Sequence, residues 1–144
     1  MNISIDDIQK EVIEDFSLFD NWDDKYAYII ECGKNLAPLA AEYKTEANLV
    51  RGCQSQVWLQ AEHKNGLVYF YADSDAIISK GLISLLIKVL SGHKAEDIVK
   101  SELYFIEKIG MQSHLSMTRS NGLASMLKTM KLKALLFLEQ EKKH

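Results

Sequence analysis

The sequence predicts an α+β domain in which helices flank a small antiparallel sheet. Three observations point there. Asn65-Gly66, the strongest short-range turn signal in the chain, separates two segments of alternating polarity. Apolar residues recur at helical spacing on both sides of that hairpin. No repeat, low-complexity run or Pro/Gly/Ser linker interrupts the 144 residues, so one domain spanning 1–144 is expected, and a hydrophobic share of 47% suffices to fill its core.

Ser4 is placed to cap a first helix, with Asp6 and Asp7 in the first turn, where the helix dipole favours acids. Ile8, Val12, Ile13 and Phe16 follow as its apolar stripe. Asn21 opens a second helix on the same plan, with Asp23 and Asp24 behind it, a stripe of Trp22, Tyr26, Ile29 and Ile30, and Gly33 as its stop. Residues 36–52 hold Pro38, the polar stretch Glu42–Asn48 and Gly52 without a clean period. They read as a long connection, a kind of segment that is often functional.

A type I′ turn at Asn65-Gly66 sets Leu59 opposite Ala72, Ala61 opposite Phe70 and His63 opposite Val68. One face of the hairpin then reads Val57, Leu59, Ala61, Val68, Phe70, Ala72. The other reads Trp58, Gln60, Glu62, Tyr69, Tyr71, Asp73, so a single register sorts both strands. The sheet has room for a third strand. Ser74 or Asp75 is expected to cap a third helix, in which Ile77, Ile78, Leu82, Leu85, Leu86, Val89 and Leu90, with Gly81, form a broad stripe ending at Gly92. Lys94–Lys100 suggests a short helix. The last helix is expected from near Ser120 toward Lys142, burying Leu123, Leu127, Met130, Ala134 and Leu138.

Composition excludes several functions. A net charge of −3 argues against a nucleic-acid binder working through a basic face. The longest uncharged runs, such as Gly52–Ala61, reach about ten residues, well short of the ~20 that cross a bilayer. The start, Met1-Asn2-Ile3-Ser4-Ile5-Asp6-Asp7, has neither the basic flank nor the apolar run of a signal peptide, so a cytoplasmic protein is expected. The first 31 residues carry a balance of −7, read as a solvated acidic face. His63, His93, His114 and His144 are scattered, no cysteine or histidine pair has metal-ligand spacing, and no phosphate loop or GxSxG is present. Neither a metal nor another cofactor of its own is expected.

Two cysteines in a cytosolic protein argue against a disulfide framework and leave a working thiol open. Cys32 sits late in a helix, where a thiol behaves as a small hydrophobe. Cys53 stands between the irregular connection and the first strand. Gly52 beside it permits positive φ, and Arg51 places a cation two residues away that favours thiolate. A packed strand residue is the competing reading, because Cys53 shares odd parity with Val57 and Leu59.

Gly52-Cys53-Gln54-Ser55-Gln56-Val57-Trp58 resembles the cysteine signature of the SufE family of sulfur-acceptor proteins. Trp22–Glu31, Asp73-Ser74-Asp75-Ala76 with Lys80-Gly81-Leu82, and His114-Leu115 with Arg119-Ser120-Asn121-Gly122-Leu123 resemble further family blocks in family order. The resemblance implies a SufE/IscU-like α+β fold. It implies that Cys53 takes persulfide sulfur from a pyridoxal-phosphate cysteine desulfurase of the SufS type and passes it to a SufBCD-like cluster scaffold. The chain would also stimulate the desulfurase, and the pyridoxal phosphate belongs to that partner. Arg51, Gly52, Gln54, Asp75, His114 and Arg119 are then candidates for partner binding or thiolate support, with Asp75 and Arg119 favoured for the interface. Cys32 is the only other thiol, which argues against assembling a cluster here. Three alternatives stay open: a binding-only desulfurase activator, a paralogous carrier for another pathway, and a general thiol redox protein. So does the choice between monomer and homodimer. If Cys53 points toward the apolar hairpin face, burial shelters a persulfide, and the loop must move when a partner docks.

Overall fold

The computed structural model describes residues 3–143. In chain order the elements are α1 (Ile5–Ser17), α2 (Trp22–Lys34), β1 (Val57–Lys64), β2 (Leu67–Ser74), α3 (Ile77–Leu90), α4 (Ala95–Lys100), α5 (Phe105–Lys108), α6 (Met111–His114) and α7 (Met117–Lys142). The two long N-terminal helices start as their sequences dictate. The Ser4 and Asn21 side chains accept from the backbone N–H groups of Asp7 and Asp24, each satisfying a donor that lacks an intrahelical partner.

The sheet is a two-stranded antiparallel hairpin in the expected register, with Leu59 opposite Ala72, Ala61 opposite Phe70 and His63 opposite Val68. Asn65 at φ 55° and Gly66 at φ 79° supply the two left-handed residues a type I′ turn requires. Val57, Leu59, Val68, Phe70 and Ala72 are buried, so this one-sided face alone fixes the pairing. No third strand forms among the described residues. The connection instead touches the hairpin through an isolated bridge, Leu49 to Trp58, where the Val50 N–H donates to the Val57 carbonyl at 2.8 Å.

The hairpin packs on α3, the most buried helix: Leu82, Ile83, Leu85, Leu86, Val89 and Leu90 are all sequestered. Each such side chain contributes about 1.5–3 kcal/mol through removal from water. Gly33 is not a helix stop. It lies inside α2, where an added Cβ would stand 2.7 Å from the Gly81 nitrogen, and Gly81 in turn meets the Ile29 backbone. Two glycines thus let α2 and α3 cross backbone to backbone.

Other elements differ from expectation. The Ncap of α3 is Ala76, with no side-chain cap, because Ser74 and Asp75 are engaged elsewhere. The last helix begins at Met117, capped by the Ser116 hydroxyl, which accepts from the Arg119 N–H. That cap adds a turn before Ser120. Within residues 36–52, two short 3₁₀ turns, Ala41–Tyr43 and Glu46–Asn48, give the connection local order. Among the described residues no helix is long and apolar enough to cross a membrane.

Candidate functional site

Cys53 follows a sharp turn at Arg51-Gly52. Gly52 has φ +95°, a conformation that L side chains rarely adopt, and a Cβ there would overlap the Ser125 hydroxyl of α7. The turn is pinned at both ends. Upstream stands the Val50–Val57 hydrogen bond. Downstream, the Gln56 N–H donates to the Asp75 carboxylate at 3.0 Å and the Ser74 hydroxyl donates to the Gln56 carbonyl at 2.8 Å. The segment carrying the thiol is therefore strapped to the junction between β2 and α3, and this work is what removes Ser74 and Asp75 from capping α3.

The Cys53 Sγ is half-buried, packed against the core, and donates to the Gly122 carbonyl of α7 at 3.5 Å. An added Cβ on Gly122 would meet that sulfur at 3.6 Å, an ordinary van der Waals contact, so the helix backbone and the thiol are close neighbours. Burial pushes the thiol pKa above its ordinary value. Donation to a carbonyl acts in the same direction, since only the neutral form has a proton to donate. At neutral pH the resting group is a thiol.

A cavity of about 560 Å³ opens at this sulfur, lined among others by Gln54, Asp75, Ile77, Ser79, Arg119 and Met126. The Ser55 and Ser79 hydroxyls, 2.8 Å apart, tie the loop to α3 across it. Of the residues singled out in the sequence, Cys53, Gln54, Asp75 and Arg119 converge here. Arg51 does not support the thiol: its guanidinium lies 3.8 Å from the Glu46 carboxylate and both side chains are largely exposed, so burial governs Cys53 without a cation beside it. His114 is elsewhere. Its ring stacks on Trp22 with centroids 4.2 Å apart, its Nδ1 lies 3.0 Å from the Gly110 carbonyl, and its own carbonyl accepts from the Tyr26 hydroxyl.

Sequence reasoning misses Gly122, Ser125 and Ser79 as parts of the site. A glycine six residues into a helix is the available signal, because helix interiors disfavour it. Cys32 lines a separate cavity with Tyr28, Ser84 and Lys88. Burial raises its pKa, with the Tyr28 hydroxyl opposing, and its cavity is not the one that Cys53 lines. Among the described residues, no group of three or more His, Cys, Asp and Glu side chains is arranged to hold a metal ion.

The SufE family, described as an Fe-S metabolism associated domain, matches residues 10–134. An uncharacterised SufE-like protein of Rhizobium meliloti is 41% identical over 130 residues, covering 86% of this chain and 92% of its own. A SufE-like protein of Rhizobium etli is 42% identical over 129 residues, covering 86% and 87%. The chloroplastic/mitochondrial SufE-like protein 1 of Arabidopsis thaliana is 42% identical over 88% of this chain, which spans 34% of that longer protein. In structure, a hypothetical protein from Thermus thermophilus superposes with a TM-score of 0.77 at 20% identity, over 92% of this chain and 96% of that one. That likeness concerns the fold.

Proposed function

The chain belongs to the SufE family of Fe-S metabolism proteins, and from that premise we propose that it is a sulfur carrier whose Cys53 accepts persulfide sulfur from a cysteine desulfurase of the SufS type. The observation that carries the reading is a half-buried thiol lining an open cavity, on a glycine-dependent turn next to a helix start. A thiol that only filled the core would not need the cavity or the glycine.

The step is a thiol exchange at sulfur. Cys53 loses its proton and its thiolate attacks the terminal sulfur of the donor persulfide. The donor's S–S bond breaks as the new one forms, and the donor cysteine leaves as thiolate. Cys53 ends as a persulfide with no net oxidation, and a later acceptor, such as a SufBCD-like scaffold, reverses the step. Thiolate is the reactive form, and burial together with the Gly122 carbonyl holds the resting group protonated. The resting carrier is therefore slow toward stray oxidants and electrophiles. Docking activates it by drawing the loop away from Gly122, which relieves both effects at once.

Arg119 and Asp75 flank the opening with opposite charges, and Ile77, 65% exposed, adds an apolar edge. These are groups with which a protein partner can register the two sulfurs. The test is desulfurase turnover with the chain added, comparing wild type with Cys53→Ser. A carrier loses sulfur acceptance and stimulation in the variant. Full stimulation by Cys53→Ser would identify a binding-only activator instead.

A further inference from the structure

The loop that carries Cys53 is anchored at both ends but lightly held between them. Its upstream anchor is the Val50–Val57 bond, and its downstream anchors are the bonds of Gln56 to Asp75 and Ser74. Across residues 51–55, three polar attachments remain among the described residues. Arg51 and Glu46 form an exposed pair at 3.8 Å, a contact of little worth in water. The Cys53 thiol reaches the Gly122 carbonyl at 3.5 Å, and sulfur is a weak donor. The Ser55 and Ser79 hydroxyls share a hydrogen bond at 2.8 Å, an ordinary length between two oxygens, and both residues are half-buried. The hydroxyl pair is therefore the strongest polar hold on this stretch of the loop.

The two ends of that bond are fixed to different degrees. Ser79 stands in the first turn of α3, two residues before Gly81, whose backbone lies against Ile29 of α2, and close to the buried Leu82 and Ile83. Lys80 beside it is paired with Asp73 at 3.4 Å. Ser55 lies on the loop itself, two residues from the thiol, and both serines line the Cys53 cavity. A serine within a helix often returns its hydroxyl to its own backbone, whereas this one is bonded to the loop. When the loop lifts, water takes up both hydroxyls, so parting them costs only one exchanged hydrogen bond. Such a bond biases the loop toward the closed state and still yields to a docking protein.

We propose that Ser79 is a positioning residue: through Ser55 it holds the Cys53 loop shut, and so sets how readily the thiol opens to a partner. The inference rests on the carrier reading for its consequence, which is that the donor desulfurase must part the two hydroxyls before sulfur passes. Removing the latch should enlarge the open population about five-fold.

Iodoacetamide labelling of the freshly reduced full chain, followed peptide by peptide in mass spectrometry, tests this. Ser55→Ala and Ser79→Ala should each speed labelling of Cys53 about five-fold, and S55A/S79A should be no faster than either, because both act through one bond. Cys32, in its separate cavity, should label at the wild-type rate in every variant. In desulfurase turnover, Ser79→Ala should reach half-maximal stimulation at about five-fold lower concentration than wild type. Labelling of either single variant at the wild-type rate, independent effects that multiply in the double variant, a rise at Cys32 in step with Cys53, or an unchanged half-maximal concentration would each overturn the proposal. The labelling itself needs no sulfur transfer. A wild-type chain that fails to stimulate a desulfurase, with Ser79→Ala still labelling faster, would sink the carrier reading and leave the latch standing.

Discussion

Replacing Gly52 by alanine should loosen the loop and make Cys53 more reactive. At φ +95° a Cβ is unfavourable by about 1–2 kcal/mol. The same Cβ would overlap the Ser125 hydroxyl and stand 3.2 Å from the Ser125 Cβ. Rotation of Ser125 removes the first clash and leaves the second, so the total strain is about 2–3 kcal/mol. This strain is local, because the hydrogen bonds at Val50 and Gln56 hold the chain on either side of the turn. It is relieved when the turn lifts away from α7, which also takes the sulfur from Gly122. If opening limits access, about 2 kcal/mol corresponds to a roughly 30-fold larger open population. The assay is the iodoacetamide alkylation rate of Cys53 at fixed pH in a Cys32→Ala background. Gly66→Ala is the control: its φ is +79°, but nothing lies within 4 Å of the added Cβ, and it is remote from the thiol. A rate for Gly52→Ala no faster than wild type, with global stability lowered by the full strain, would refute the view that this turn opens independently.

Further outcomes follow from the structure. Gly81→Ala should lower stability by about 3 kcal/mol in chemical denaturation, because its Cβ would overlap the Ile29 carbonyl and approach the Ile29 Cγ2 to 2.6 Å. Gly122→Ala, meeting only the Cys53 sulfur at 3.6 Å, should leave stability unchanged or raise it by up to about 1 kcal/mol. Asp73→Asn should destabilise the fold by about 1–2 kcal/mol at neutral pH. Burial opposes ionisation of Asp73, but Lys44, the Ser74 N–H and Lys80 outweigh it and hold the carboxyl below its ordinary 3.8. A carboxylate so depressed stabilises the folded state above 3.8 and loses that contribution as pH falls through its folded value, so denaturation curves of the variant and wild type should converge in acid. Finally, the alkylation rate of Cys53 should keep climbing with pH beyond the range of a solvated thiol, since burial raises its pKa; an inflection at or below that range would indicate a nearby cation.

The hairpin is legible residue by residue because a period of two with a polar–apolar split admits only one register. The caps of α1 and α2 are legible for the same local reason: an oxygen three residues before an unpaired N–H has one obvious partner. Asp75 escapes a local reading because its role is set across the fold, by Gln56, which sits 19 residues earlier. Arg51 escapes it similarly. Proximity in sequence puts it beside Cys53, but the tight turn at Gly52 aims it at Glu46. His114 stands in a recognisable block, yet its ring serves the contact of α6 with α2 through Trp22. Gly33 looks like a stop because glycine ends helices, whereas here it admits a neighbouring backbone, a distinction that requires knowing what crosses it. Cys53, the proposed nucleophile, is singled out by local chemistry together with resemblance. Its burial, its protonation and its contact with Gly122 are long-range facts that only packing supplies.

The carrier role is tested most directly by intact-mass and peptide analysis after incubating the chain with a cysteine desulfurase and cysteine. The expected result is a gain of one sulfur atom, located on Cys53, reversed by dithiothreitol and absent from Cys53→Ser. A chain that gains no sulfur, or carries it on Cys32 with Cys53 unmodified, would contradict it.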